Sequence, residues 1–297
     1  MPTLVVGATG LVGHQIALGL QQRTGQVRGF VRGGVANPKA TDLVAAGIEI
    51  APGDLTRPET LVGACTGVET VVCTATTMPT GADDGLRRVD HEGVLTLIDA
   101  AEDAGVKKFV YTSYTGNIRI DCPLHTAKRA CEARLLNSRM EAVILRPSCF
   151  MEIWLGPQLG FDPLRGTARI YGDGQGKVSY ISAVNVAEIA VAAALRSTGS
   201  GVILEMGGPE PLSQLDAVRI FEQALDTACR LEFVPAEALQ QQHQSPDPLQ
   251  RTFAALMLGY TQGDIIPGAA AVADEYGVSL RSVSEYAKSL REQRVGV

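Results

Sequence analysis

The chain has 297 residues, 45% of them hydrophobic and 20% charged, with a formal net charge of −6. That length supports one large core, or a core and a smaller lobe, while a mean hydropathy of +0.10 with no apolar run of about 18 residues leaves nothing to cross a bilayer. The acidic balance, with no basic helix, argues against nucleic acid as a partner, and without a leader-like start the expected location is cytoplasmic.

Leu4-Val5-Val6 opens a predicted strand at 3–7, followed by Gly7-Ala8-Thr9-Gly10-Leu11-Val12-Gly13 and a predicted helix at 11–22. A buried strand running into glycines spaced GxxGxxG and then a helix suits a pyrophosphate. Gly7 permits a sharp turn, Gly10 removes a side chain where a phosphate must approach the backbone, and Gly13 lets the helix lie close on the sheet. Thr9 and the first-turn amides of Leu11, Val12 and Gly13 then face the anion. Strand-like and helix-like runs alternate onward: strand 26–31, helix near 38–46, strand 48–51, helix 58–65, strand 69–74, helix 85–104, strand 107–112, helix 123–138 and strand 142–147. This alternation predicts an α/β fold with a doubly wound parallel sheet, the Rossmann arrangement. Beyond Pro147 the pattern loosens. A strand near 178–181, a helix at 184–196, a strand at 202–206 and a mostly helical tail are expected. Residues 1–150 are read as the nucleotide-binding domain and 151–297 as a smaller C-terminal substrate lobe, with the strand near 178–181 and the helix 184–196 returning to the first core.

The second strand of such a fold ends beside the adenosine ribose of a bound dinucleotide, and an acid there binds the 2′-hydroxyl of NAD. Here the strand runs into Phe30-Val31-Arg32-Gly33-Gly34. With no carboxylate present, Arg32 is placed to pair with a 2′-phosphate, which favours NADP(H), or else is a solvated loop cation. Lys39, and less directly Arg28, can add charge. Asp54 and Leu55, after Gly53, can hold an adenine by a hydrogen bond and by packing, or form a plain turn. Thr74, Ala75 and Thr76 end the fourth strand at its carboxyl rim, where small side chains leave room for a ribose. The six cysteines (Cys65, Cys73, Cys122, Cys131, Cys149, Cys229) show no CxxC spacing and no ligand pattern with the four histidines, so reduced thiols and no metal are expected.

Taken together, the Gly7-Ala8-Thr9-Gly10 turn with Gly13, Phe30-Val31-Arg32, Gly53-Asp54-Leu55 and Gly105-Val106-Lys107-Lys108-Phe109-Val110-Tyr111-Thr112-Ser113 resemble the NmrA-like family of atypical short-chain dehydrogenases/reductases. Lys128 to Glu132, Leu145-Arg146-Pro147, Phe150-Met151-Glu152, Gly207-Gly208-Pro209 and residues 279–286 extend the likeness over nearly the whole chain. The resemblance implies a nicotinamide-dependent reductase fold, with Pro147 and Phe150 beside the cofactor. The family also contains dinucleotide-sensing regulators.

Many short-chain reductases place a Tyr four residues before a Lys, on one helix face, as proton donor. Here Lys128 stands with Leu124 in that position. Lys128 resembles the lysine of isoflavone-reductase-like members and can anchor the nicotinamide ribose, or move protons if its ammonium is sufficiently destabilised; the other reading is a solvated helix lysine beside Glu132. Tyr114, His125 and Ser113 are the remaining proton-donor candidates, although a loop Tyr also serves as wall and a lone His as packing. Phe150, Met151 and Trp154 suit a planar hydrophobic substrate, or a core. In Ser182-Ala183-Val184-Asn185, Asn185 reads as part of a helix start. The expected function is an NADPH-dependent reductase of a conjugated carbonyl, quinone or similar planar small molecule, acting as monomer or homodimer. The alternative is a non-catalytic NADP(H) sensor working through a protein partner.

Overall fold

In a computed structural model, which describes residues 2–79 and 84–295, the elements follow one another as a βα series. Strands β1 (Thr3–Val6), β2 (Val27–Val31) and β3 (Glu49–Pro52) alternate with helices α1 (Leu11–Thr24) and α2 (Thr41–Ala45). Then come α3 (Pro58–Cys65), β4 (Thr70–Cys73), α4 (Val94–Asp103), β5 (Lys108–Thr112), α5 (Pro123–Leu136) and β6 (Glu141–Pro147). The remainder comprises α6 (Met151–Trp154), β7 (Phe161–Asp162), β8 (Thr167–Tyr171), α7 (Ala183–Leu195), β9 (Val202–Met206), α8 (Gln214–Leu225), β10 (Arg230–Val234), α9 (Ala236–His243), α10 (Pro248–Gln262), α11 (Ala269–Glu275) and α12 (Val283–Val295).

One sheet has seven strands in the order β3-β2-β1-β4-β5-β6-β9, with parallel pairings from β3 through to β6. The fold is Rossmann-like. The central strands β1, β4 and β5 are buried at every position, because helices cover both faces of such a sheet and the sequence must be apolar throughout rather than alternating. Val6 is in register with Phe30 on one side and Cys73 on the other. The strand order reverses there, so the carboxyl ends of β1 and β4 form the switch point where ligands of these sheets bind. Lys108 is the one cation within β5. Its Nζ donates to the Ala193 carbonyl at 3.2 Å and to the Arg196 carbonyl and pairs with Glu141 at 3.2 Å, so it caps the end of α7 that leaves carbonyls without helical partners.

The chain forms two compact units: residues 1–114, 123–146 and 186–204 make the first, and residues 115–122, 147–185 and 205–297 the second. The helix expected at 184–196 lies largely in the first unit, with residues 186–204, while residues 115–122 leave it for the second. Residues 115–122 join the second unit because Asp264, buried there, accepts from Thr115 Oγ1 at 2.8 Å and Asn117 Nδ2 at 2.7 Å, and from Ser148 Oγ at 2.6 Å. Residues 178–181 also stay in the second unit and form no strand. Val178 makes single bridges to Leu212 and Asp264, and Ile181 one to Phe150, in place of a continuous ladder with one neighbour. Nor is the second unit only helices, since β10, β8 and β7 form a sheet in that order. In the first unit, the predicted helix at 85–104 begins as a π-helical stretch, Leu86–Gly93, before α4. The expected helix near 38–46 is a 3₁₀ turn, Pro38–Ala40, leading into α2.

In the second unit, Ser213 caps α8 with Asp216. Ser213 Oγ accepts from the Asp216 amide at 3.0 Å, and the Asp216 carboxylate accepts from the Ser213 amide at 2.9 Å. The Ser213 backbone and side-chain bonds, helped by Arg219, hold the Asp216 carboxyl at about 2, below its ordinary 3.8. Replacing Ser213 with Ala should cost about 1 kcal/mol of stability in urea unfolding. A carboxyl depressed on folding contributes stability that is complete above its unfolded value and is lost as pH falls through its folded value. The stability gap between the parent and Asp216→Asn should therefore be full above about pH 4 and vanish toward about pH 2.

Candidate cofactor and catalytic site

At the end of β1, Gly7 takes a positive φ of +89°, a conformation that costs glycine little, and its carbonyl accepts from the Gly10 amide at 2.9 Å. A Cβ on Gly13 would lie 2.2 Å from the Gly7 oxygen and 2.6 Å from Thr74 Oγ1. The helix is therefore pressed against the strand turn as closely as backbone allows. At Gly10 a Cβ would meet only the Gly7 oxygen, at 3.3 Å. Gly10 is also the extended N-cap of α1. It has no side chain to satisfy the first-turn amides, and no acid stands in that turn. An uncapped helix start at the switch point has amide donors of the kind an anion needs, and Thr9, Leu11, Val12 and Gly13 adjoin it in the chain.

Arg32 follows β2 and is exposed, its carbonyl fixed by Asn37 Nδ2 at 2.9 Å. Asp54 Oδ1 accepts from the Thr56 amide and hydroxyl, both at 2.8 Å. Burial pushes the Asp54 carboxyl up, but the Thr56 bonds and the Arg32 and Arg57 guanidiniums outweigh it and hold the group below the ordinary range. Arg57 is thus a second cation near Arg32, which no sequence motif indicated. Lys39 is exposed on the 3₁₀ turn and adds a charge, whereas Arg28 is spent on structure, with Glu49 at 2.8 Å and the Ala64 and Thr66 carbonyls at 3.0 Å. Leu55 is buried, and a Cβ on Gly93 would lie 2.8 Å from its carbonyl. Thr74 bonds back to the Val6 carbonyl through its amide at 2.9 Å, leaving Ala75 and Thr76 at the rim.

Lys128 is not a solvated surface lysine. It is buried, its Nζ donates to the Thr112 carbonyl at 3.1 Å and lies 4.9 Å from the centre of the Tyr111 ring. Glu132 does not serve it. That carboxylate is taken by Arg129 and by Arg146, whose Nη2 stands at 2.5 Å, and although burial raises it, the Arg146, Ser113 and Arg129 interactions bring it below its ordinary range. Burial pushes the thiols of Cys73 and Cys131 up to about 11 and about 12, so both stay protonated at neutral pH.

Tyr114 and His125 meet. The phenol oxygen is 2.8 Å from His125 Nδ1, the rings crossing at 78°. The Arg129 guanidinium sits 4.8 Å from the Tyr114 ring centre, donates to the Tyr114 carbonyl at 3.2 Å and reaches Ser113 Oγ at 3.3 Å. Arg129 was not apparent from sequence, since a cation next to Lys128 on a helix carries no distinguishing pattern. Leu124, where a donor Tyr would stand, is buried.

The other predicted residues belong to the second unit. Pro147 is buried and its carbonyl accepts from the Thr115 amide at 2.9 Å. Phe150 is half-buried at the start of α6. Met151, read as substrate wall or core, is fully buried in a core that includes Tyr180 and Tyr260. Trp154 is half-buried against Tyr260, with ring centres 4.5 Å apart. Asn185 holds the segment before α12, donating to the Ser279 carbonyl at 2.9 Å and accepting from the Arg281 amide at 2.8 Å. Among the described residues no cluster of His, Cys, Asp or Glu is arranged to hold a metal, and no helix is long and apolar enough to cross a membrane.

The parallel order, the switch point and the glycine turn define an α/β protein of the doubly wound, Rossmann-like class. Residues 3–287 match the NmrA-like family, and the chain belongs to it. It is 30% identical over 241 residues to an NAD(P)H azoreductase of Xenophilus azovorans, covering 80% of this chain and 79% of that one. Over 237 residues it is 28% identical to the photosystem II assembly factor Ycf39 of Trieres chinensis, covering 79% and 72%. Its fold superposes on an NADPH-dependent quinone oxidoreductase from Escherichia coli, crystallised with NADPH, at a TM-score of 0.79 with 21% identity, covering 98% and 99% of the two chains.

Because the Gly13 Cα abuts a backbone oxygen rather than a yielding side chain, Gly13→Ala should destabilise the protein by about 2 kcal/mol or more. Thermal and urea unfolding of the nucleotide-free protein measure it.

Proposed function

We propose that the chain is an NADP(H)-dependent reductase that transfers hydride to a planar small molecule such as a quinone or conjugated carbonyl. The observation that carries this reading is the uncapped start of α1 at the sheet's switch point, with Arg32 and not an acid at the end of β2. The first-turn amides of Leu11, Val12 and Gly13, with Thr9, hold the pyrophosphate. Arg32 and Lys39, joined by Arg57, hold the 2′-phosphate; Asp54 and Leu55 hold the adenine; Thr74, Ala75 and Thr76 line the adenosine ribose. Pro147 and Phe150 are assigned to the nicotinamide end by the family resemblance, and Trp154 to a flat substrate. When bound, the cofactor supplies a hydride from C4 of its nicotinamide.

Lys128 anchors the nicotinamide ribose. Its ammonium has three donors, one of which is given to the Thr112 carbonyl, leaving the others for ribose hydroxyls without any change of protonation. The names of the azoreductase and the quinone oxidoreductase support the same chemistry. A second reading, a non-catalytic NADP(H) sensor acting through a protein partner, draws on Leu124 in place of the usual Tyr and on the likeness to Ycf39.

Calorimetry and NADPH oxidation separate the two. Arg32→Ala should weaken NADPH binding roughly ten- to a hundred-fold, about 1.5–3 kcal/mol, and leave NADH nearly unchanged; equal parent affinities for the two cofactors would sink the 2′-phosphate assignment. Gly10→Val should abolish binding of both cofactors with the melting temperature preserved. Lys128→Ala should lower kcat far more than it weakens NADPH binding, because nicotinamide placement matters most in the transition state. A protein that binds NADPH but reduces no quinone, azo dye or enone is a sensor.

A further inference from the structure

We propose that Tyr114 is the proton donor of the reduction, resupplied through His125 and positioned by Arg129; this rests on the reductase reading above. An acceptor that gains a hydride at one atom must gain a proton at another, and Leu124 leaves α5 without a phenol one turn before Lys128. The phenol comes instead from just past β5. Tyr114 follows Thr112 and Ser113 at the carboxyl rim of the sheet, two residues beyond the carbonyl that receives Lys128 Nζ. Its ring is half-buried and its oxygen lies 2.8 Å from His125 Nδ1.

Arg129 makes this a built arrangement rather than a chance contact. Its guanidinium lies 4.8 Å from the centre of the Tyr114 ring and bonds both the Tyr114 carbonyl and Ser113 Oγ, fixing ring and backbone together. Glu132 anchors Arg129 and is itself held by Arg146. Glu132 thereby fixes the Arg129 guanidinium against the phenol ring. A cation against the ring stabilises the negative charge left on the phenol oxygen as its proton departs.

The step balances. The acceptor takes the hydride with its electron pair, the Tyr114 O–H bond breaks, and its proton bonds to the acceptor's oxygen or nitrogen. Tyr114 is then reprotonated by the Nδ1 proton of His125 while the His125 Nε2 takes up a proton from solvent, so the ring stays neutral and the reaction consumes one solvent proton overall. Arg129 exchanges no proton and is a positioning residue.

The test uses the full chain with NADPH and two probes, menadione and the azo dye methyl red. Tyr114→Phe should lower kcat by about 100-fold, within the usual range for loss of a general acid. It should leave the NADPH Kd within about twofold and remove the solvent deuterium effect on kcat. His125→Gln should lower kcat by roughly tenfold, less than the loss of the donor itself, because water can replace it slowly. Arg129→Gln should lower kcat at unchanged NADPH affinity, and Arg129→Lys should restore part of the loss by keeping the charge. A readout without cofactor is the NMR titration of the His125 ring in the nucleotide-free protein, whose midpoint should move in Tyr114→Phe and in Arg129→Gln. Undiminished turnover in Tyr114→Phe, or a His125 midpoint unmoved by either change, overturns the donor while leaving the reductase reading intact. A parent protein that binds NADPH and reduces neither probe overturns the reductase reading and its donor together.

Discussion

The site depends on one backbone contact, the seating of Gly13 against the Gly7 carbonyl. Only a residue without Cβ can occupy position 13 there. The contact brings the first turn of α1 down onto the end of β1 while the strands on either side of β1 run in opposite directions of sequence order. A helix start with no side-chain cap is ordinarily a weakness, since its amides must find partners elsewhere. Placed at the switch point, it leaves donors facing the edge where ligands of such sheets bind. The neighbouring strands extend the logic: β2 is followed by Arg32 and β4 by Thr74, Ala75 and Thr76, so charge and small side chains stand in order along the carboxyl edge.

Charge burial follows a consistent pattern in the first unit. Lys108, Lys128 and Glu132 are all nearly inaccessible, and each is held by named partners. Lys108 lies under the end of α7, Lys128 against a strand carbonyl and an aromatic face, and Glu132 between two arginines. Removing water from an ion costs several kcal/mol unless hydrogen bonds replace the hydration. Of the three, only the Lys128 ammonium has a single hydrogen-bond acceptor among the described residues. That inequality, more than burial itself, sets Lys128 apart from the other two.

The parallel sheet and its glycine turn were legible because both depend on local rules: continuous apolar runs for strands covered on both faces, and glycines where backbone must approach backbone. The family resemblance rested on the same segments. The second unit was less readable. Thr167–Tyr171 buries Ala168 and Ile170 while exposing Arg169, but two alternations among so many glycines and prolines are a faint signal, and β10, exposed over most of its length, gives no apolar period. Met151 stayed open between wall and core because its position after β6 says where the chain goes, not which way a side chain turns. Arg57 and Arg129 escaped because their significance is tertiary: the first acquires it from Asp54 and the second from the Tyr114 ring. The meeting of Tyr114 with His125 likewise joins two ends of a connection whose intervening residues belong to the other unit, and no sequence period encodes such a closure.

The Glu132 clamp has a mechanical meaning. By joining Arg129 on α5 to Arg146 on β6, it pins the middle of a fourteen-residue helix to the sheet. His125, Lys128 and Arg129 occupy barely more than one turn just before that pin. They behave as teeth on one gear: a displacement that carries the ammonium by an ångström must turn the imidazole and the guanidinium with it. The positions of Lys128 Nζ and of the His125 ring against Tyr114 are thus not two independent variables but one coordinate, expressed through the pitch of a single helix.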